Sequence, residues 1–228
     1  MAYRTVDFTA GEWYHCYTRT IDRSRPFENP ANTERFLETL YLANDTQSMP
    51  HIPKLHRQHE HEDIFDLPHE SPLVAIGAYC LMPTHYHLLI QPRIENGLSL
   101  FMHKIGVGFT KFFNERNERV GNLFIKPFRA KHVGTDQYLD RIVQYIHLNP
   151  AELFEPDWKR GTLQEPHLLP QKLRTYEYSS LYEHERGTRP QSSILSLDAL
   201  DEVRDNTTDI TKVIADAADY YRFLELDL

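Results

Sequence analysis

Apolar residues recur along this chain in two periods. Alternation marks strands, and steps of three and four mark helices. Trp13–Arg19 is rich in aromatic residues and predicts a first strand. Pro26 and Asn29-Pro30 break the chain after it. Asn32 or Thr33 then predicts a helix start, with Phe36, Leu37, Leu40 and Tyr41 as the apolar stripe. Leu73–Met82 is almost wholly apolar and predicts a second strand. His85–Gln91 predicts a third, and the short Pro83-Thr84 break makes the two an antiparallel hairpin. Leu98, Met102, Ile105, Phe109 and Phe112 predict an amphipathic helix from Leu98 to Asn117. Gly121-Asn122 turns the chain into a fourth strand, Leu123–Val133, where Pro127 implies an edge or a bulge. Thr135 or Asp136 caps a helix running through Leu148, with Tyr138, Leu139, Ile142, Tyr145 and Ile146 facing inward. Asn149-Pro150 ends it.

The order is strand, helix, strand, strand, helix, strand, helix. The first six elements match an α+β, ferredoxin-like (RRM-like) unit, a four-stranded antiparallel sheet with helices on one face. We expect residues 1–151 to form this domain and residues 152–228 a C-terminal helical extension packing on it. Asn44–Pro72 is polar and holds five histidines, His51, His56, His59, His61 and His69. It is too long for a quiet connection, so residues 45–72 read as an insertion and a mobile polar loop. Tyr176–Tyr182 reads as a docking segment, and Ile210–Leu226 as a terminal amphipathic helix.

Composition narrows the class. With 40% hydrophobic and 12% aromatic residues among 228, a globular core is expected. Apolar runs such as Leu73–Ile76 are far too short to span a bilayer, so no membrane partner is expected. The first residues lack a basic-then-apolar secretory pattern, and two cysteines make no disulfide framework, so a cytoplasmic location is expected. The net charge of −8 argues against wholesale coating of nucleic acid. Its distribution says something else. Phe101–Arg141 carries eight Lys/Arg against four acids, whereas the chain from Asp201 onward carries eight acids against three bases. Phosphate contact depends on the local balance.

Two constellations can carry chemistry. His85 and His87 are two apart on a strand, so their imidazoles share a face and can begin a divalent metal site. Tyr86 between them faces the other way, into the core. Tyr145 and Asn149 are four apart on a helix and also share a face. An amide oxygen is a hard ligand suited to Mg2+ or Mn2+. A tyrosine oxygen is a weak nucleophile at neutral pH, its ordinary pKa being ~10, unless a metal polarises the phosphate that it attacks. From spacing alone, hydrogen-bonded strand histidines, a core tyrosine and a C-terminal cap asparagine explain the same residues.

The blocks together resemble a known family. Met82-Pro83-Thr84-His85-Tyr86-His87-Leu88-Leu89-Ile90 is similar to the His-hydrophobic-His block of the IS200/IS605-like single-tyrosine transposases, nearest the branch of REP-associated tyrosine transposases. Tyr145-Ile146-His147-Leu148-Asn149-Pro150 resembles the tyrosine-helix block. Tyr14–Arg19, Gly121–Phe124 with Phe128-Arg129, and Tyr176–Ser180 resemble further blocks in matching order, so the likeness covers about residues 12–182. The resemblance implies an endonuclease and strand-transferase that cuts and rejoins single-stranded, hairpin-associated DNA. It implies His85 and His87 as ligands of Mg2+ or Mn2+, Asn149 as a third ligand, and Tyr145 as the nucleophile forming a 5′-phosphotyrosine. Relatives often pair as homodimers, sometimes exchanging the tyrosine helix. The long insertion and the acidic total depart from the family pattern.

Charge and position nominate DNA contacts: Arg19 at the end of the first strand, Lys104 and Lys111 on the following helix, and Lys126, Arg129 and Lys131 along the fourth strand. A solvated surface charge is the alternative for each. Two other functions compete with strand transfer. One is a catalytically silent single-stranded nucleic-acid-binding module of the same fold. The other is a hydrolase that activates water at the histidine pair.

Overall fold

The computed structural model describes residues 7–160, 163–185, 187–204 and 210–215. Strand β1 (Trp13–Arg19) leads into helix α1 (Pro30–Ala43). The cap of α1 is Asn29, whose side chain accepts from the Ala31 amide while Pro30 opens the helix. The expected caps, Asn32 and Thr33, lie one turn inside. Proline at the first helical position leaves no donor unmet there, which moves the start back to Asn29.

The insertion is packed. It contains the short helix α2 (Ile52–Leu55) and a 3-10 turn at Glu62–Asp66. Ile52, Ile64 and Phe65 enter the core beside Tyr41. Glu38 of α1 is 1% exposed and is held by His56 Nε2 at 2.9 Å and His61 Nδ1 at 2.5 Å. Three apolar anchors and a buried carboxylate with two imidazole partners replace the mobile loop expected from polarity. An average over polar residues hides the few side chains that anchor such a segment.

Strand β2 (Val74–Met82) turns into β3 (His85–Pro92), followed by α3 (Gly97–Arg116), β4 (Arg129–Val133) and α4 (Asp136–Leu148). The sheet order is β2-β3-β1-β4, antiparallel throughout, as the ferredoxin-like reading requires. Strand β4 is shorter than expected. Residues 123–128 run beside the end of β1 through isolated bonds, Ile21 N to Leu123 O and Ile125 N to Arg19 O, both 2.8 Å. Pro127 has no N–H for a ladder there.

The two faces of the sheet are filled differently. Tyr14, Cys16, Tyr86, Leu88 and Ile90 face α1 and α3. Trp13 and Leu89 face α4, which contributes Leu139, Ile142, Val143 and Ile146. The two ferredoxin helices thus share one face as expected, and α4 covers the other. The chain continues through α5 (Ala151–Phe154), α6 (Leu169–Arg174), α7 (Leu181–His184), α8 (Leu197–Arg204) and α9 (Ile210–Ala215). The expected terminal helix to Leu226 is seen over Ile210–Ala215, and the rest of it lies outside the described residues. Trp158, Leu169, Leu173 and Leu181 join the core beneath α4. The expected docking segment sits on the free edge of β2, with Leu81 N bonding Tyr178 O at 2.9 Å and Ser180 N bonding Tyr79 O at 3.0 Å. An edge strand with open hydrogen-bonding groups is thereby closed.

Phe65 distinguishes a packed insertion from a loose one. Phe65→Ala should lower unfolding free energy by about 3–5 kcal/mol in denaturant titrations. A change below ~0.5 kcal/mol, the usual effect of a surface substitution, would mean that the insertion does not pack.

Candidate active site

Strand register builds the site. Strand β1 pairs with β3 so that Tyr17 lies opposite His87 and Arg19 opposite His85. Residues directly across an antiparallel pair share a face, and alternation adds His15 to it. Strand β4 adds Arg129 opposite Tyr17 and Lys131 opposite His15. This is the face that α4 covers, and Tyr145 projects onto it.

The rings form one cluster. His15 Nε2 and His87 Nδ1 are 2.9 Å apart in a buried hydrogen bond. The Tyr145 ring meets His87 edge-on at a centroid distance of 5.3 Å and His15 at 5.7 Å. His85 and His87 are 5.1 Å apart. Tyr145 is 6% exposed and meets the histidines of its own chain. Helix α4 is positioned by Thr135, whose hydroxyl caps the Tyr138 amide at 3.2 Å, and by the buried His147, which bonds Ser180 Oγ at 2.9 Å.

Asn149 is the C-terminal cap of α4. Its Nδ2 donates to the Tyr145 carbonyl at 2.8 Å. Asn149 also adjoins His85, where it favours the protonated imidazole. Cap and site residue are therefore the same side chain. His85 Nδ1 is 3.0 Å from the Thr84 hydroxyl.

Burial controls the electrostatics. It pushes the His85 imidazole down to about 4, with Arg19 and Lys159 adding to the effect against the Asn149 bond. His87 lies well below its ordinary value, again mainly through burial, then through His15, His85, Arg19 and Lys159. Burial takes His15 down to about 3, assisted by Lys131. All three are neutral near pH 7. Neutral imidazole is the form that binds a metal. His87 Nδ1 is fixed by His15, an outer partner of the kind that orients ligand histidines. Among the described residues, no set of three or more His, Cys, Asp or Glu side chains is grouped to hold a metal. The donors that fit are two imidazoles and one amide oxygen.

A cavity of about 490 Å³ opens beside these groups, lined by Tyr17, Arg19, His87, Arg129, Tyr145 and Lys159 among others. Two of the nominated cations, Arg19 and Arg129, therefore line the same cavity as the tyrosine. Lys131 is near, over the Tyr138 ring at 5.3 Å. Lys126 lines a neighbouring hollow of about 700 Å³ between α3 and residues 122–128, which shares Thr18, Ile125 and Pro127 with the first. Lys104 and Lys111 are brought to neither. Lys104 is tied to the Asp45 and Gln47 carbonyls of the insertion, and Lys111 lies 3.9 Å from Glu115 on α3. Helix α3 belongs to the other face of the sheet, and the charge run had hidden that division.

Sequence reasoning missed three residues. His15 and Tyr17 carried a usable signal, since His15-x-Tyr17-x-Arg19 alternates onto one face. Lys159 carried none, because it follows Trp158 in a segment without clear periodicity.

The family model described as "Transposase IS200 like" matches residues 13–149. No curated protein sequence matches the chain. A solved structure of a REP-associated tyrosine transposase bound to a REP hairpin aligns over 82% of this chain and 86% of that one, at 15% identity and a TM-score of 0.49.

The buried imidazoles predict an acid-sensitive fold. Folded, His85 and His15 stay neutral down to about 4 and 3, whereas unfolded they take up protons below 6.5. The unfolded chain then binds more protons, so stability falls as pH drops from 6.5 towards those values. Each such group contributes a slope approaching ~1.4 kcal/mol per pH unit. Denaturant titrations in chelator across this range should show the decline, and a flat profile contradicts buried neutral imidazoles.

Proposed function

The chain belongs to the IS200-like transposases, and from that premise we propose that it is a metal-dependent endonuclease and strand-transferase acting on single-stranded, hairpin-associated DNA through Tyr145. One observation carries the reading: the Tyr145 ring lies against His87 at 5.3 Å and lines a cavity that also holds Arg19 and Arg129. Residues 1–151 act as the catalytic domain, with residues 152–228 as its extension. Its place of work is the cytoplasm. Among the described residues, no helix is long and apolar enough to cross a membrane.

His85, His87 and the Asn149 amide oxygen would hold the metal. A bound Mg2+ or Mn2+ supplies positive charge that polarises the scissile phosphate. His15 keeps the His87 ring turned through its 2.9 Å bond. Arg19 and Arg129 neutralise phosphate oxygens in the cavity. Lys126 and Lys131 meet the backbone on either side of it. The Tyr145 oxygen forms a bond to phosphorus as the bond to the 3′ oxygen breaks. The phenol loses its proton and the departing 3′ oxygen gains one, so the step is proton-neutral overall. The product is a 5′-phosphotyrosine with a free 3′-hydroxyl. Rejoining reverses it, because the ester conserves the phosphodiester energy. The placement of Tyr145 beside its own histidines supports attack within one chain, so a second copy is not needed to complete the site.

Purified protein with Mn2+ and single-stranded hairpin oligonucleotides should yield a covalent adduct that survives a denaturing gel. Tyr145→Phe should abolish it, and a wild-type yield from that variant rules out the assigned nucleophile. His15→Phe removes the bond that orients His87 and should slow adduct formation roughly 10–100-fold. An unchanged rate would show that His15 only fills space.

A further inference from the structure

Lys159 lies beyond residues 13–149, the part of the chain that matches the family model. It nonetheless lines the same cavity as Tyr145, His87, Arg19 and Arg129. Its position follows from its neighbour. Trp158 is 1% exposed and inserts into the core beneath α4, closing a turn in which its amide bonds Glu155 O at 3.0 Å. That anchor directs the next residue to the cavity. The ammonium is paired there with Glu152 of α5. Among the described residues, three cations line the cavity and no carboxylate does. Such a chamber favours a bound anion, since the field of three cations converges in a half-enclosed space. The field of Lys159 also reaches the histidines, lowering both His85 and His87.

We propose that Lys159 is a catalytic residue supplied by the C-terminal extension, which completes with Arg19 and Arg129 a three-cation subsite for the phosphate that Tyr145 attacks. This rests on the strand-transfer reading. The ammonium leaves Glu152 when DNA enters and pairs with a non-bridging phosphate oxygen, as charge-assisted bonds to phosphate favour. No bond is made or broken at Lys159. Its charge offsets the negative charge gathering on the phosphoryl oxygens. The extension is then part of the active site, and a chain ending after α4 would hold the nucleophile without the whole phosphate site.

The test separates this inference from the reading beneath it. Binding of an oligothymidylate strand is measured in chelator against salt, so that neither metal nor cleavage enters. Each phosphate contact on a single strand contributes a slope of about 0.7 in log affinity against log salt. Lys159→Gln should lower the slope by about that amount and Lys159→Arg should restore it. Glu152→Gln releases the ammonium and should tighten binding only when Lys159 is present. In adduct assays, Lys159→Gln should lower kcat, which loss of a purely structural ion pair at an intact fold would not do. An unchanged slope in Lys159→Gln, or equal tightening by Glu152→Gln with and without Lys159, overturns the inference. An adduct that persists in Tyr145→Phe overturns the underlying reading instead.

Discussion

The antiparallel register between β1 and β3 is the constraint on which the rest of the structure depends. Tyr17 opposite His87 and Arg19 opposite His85 put the chemistry of two strands on one face. The same register sends Cys16 and Tyr86 into the core under α1 and α3. A slip of one residue would exchange the faces and bury the wrong set. The apolar partners of Tyr86 therefore protect the position of the histidines as much as the histidines' own contacts do. Helix α4 then needs only one sound placement to bring Tyr145 over the cluster, and Thr135 at one end with Ser180 behind His147 secures it.

Burial gives this face its electrical character. Removing His15, His85 and His87 from water favours their neutral forms, and Arg19, Lys131 and Lys159 reinforce the preference. The result is lone pairs ready for a cation beside arginines ready for an anion. An overall charge of −8 does not contradict this. Arg19, Arg129 and Lys159 stand in the cavity, while the buried Glu38 lies on the opposite side of the sheet, holding the insertion. The free edge of β2 is covered by the segment around Ser179, which also braces α4. The segment after α4 and the histidine face are thus mechanically joined.

The elements with strong period were legible in the chain. Strands β2 and β3 and helices α3 and α4 fall close to where alternation and three-and-four spacing put them, because each buries a continuous stripe. The insertion was misread because its anchors, Ile52, Ile64 and Phe65, are spaced irregularly among polar residues and give no period. Lys104 falls outside both hollows for a different reason. Charge along a helix says nothing of which side of a sheet the helix lies on. The histidine pair and Tyr145 were legible as blocks. His15 became meaningful only through the pairing of strands far apart in sequence, and Lys159 only through the burial of Trp158.

The central claim is that Tyr145 is the nucleophile that attacks DNA. Peptide mapping by mass spectrometry, applied to protein incubated with Mn2+ and a single-stranded hairpin substrate, tests it most directly. The account predicts nucleotide mass on the peptide containing Tyr145, lost when metal is chelated. Nucleotide on another residue, or cleaved DNA with no nucleotide on the protein, would contradict it.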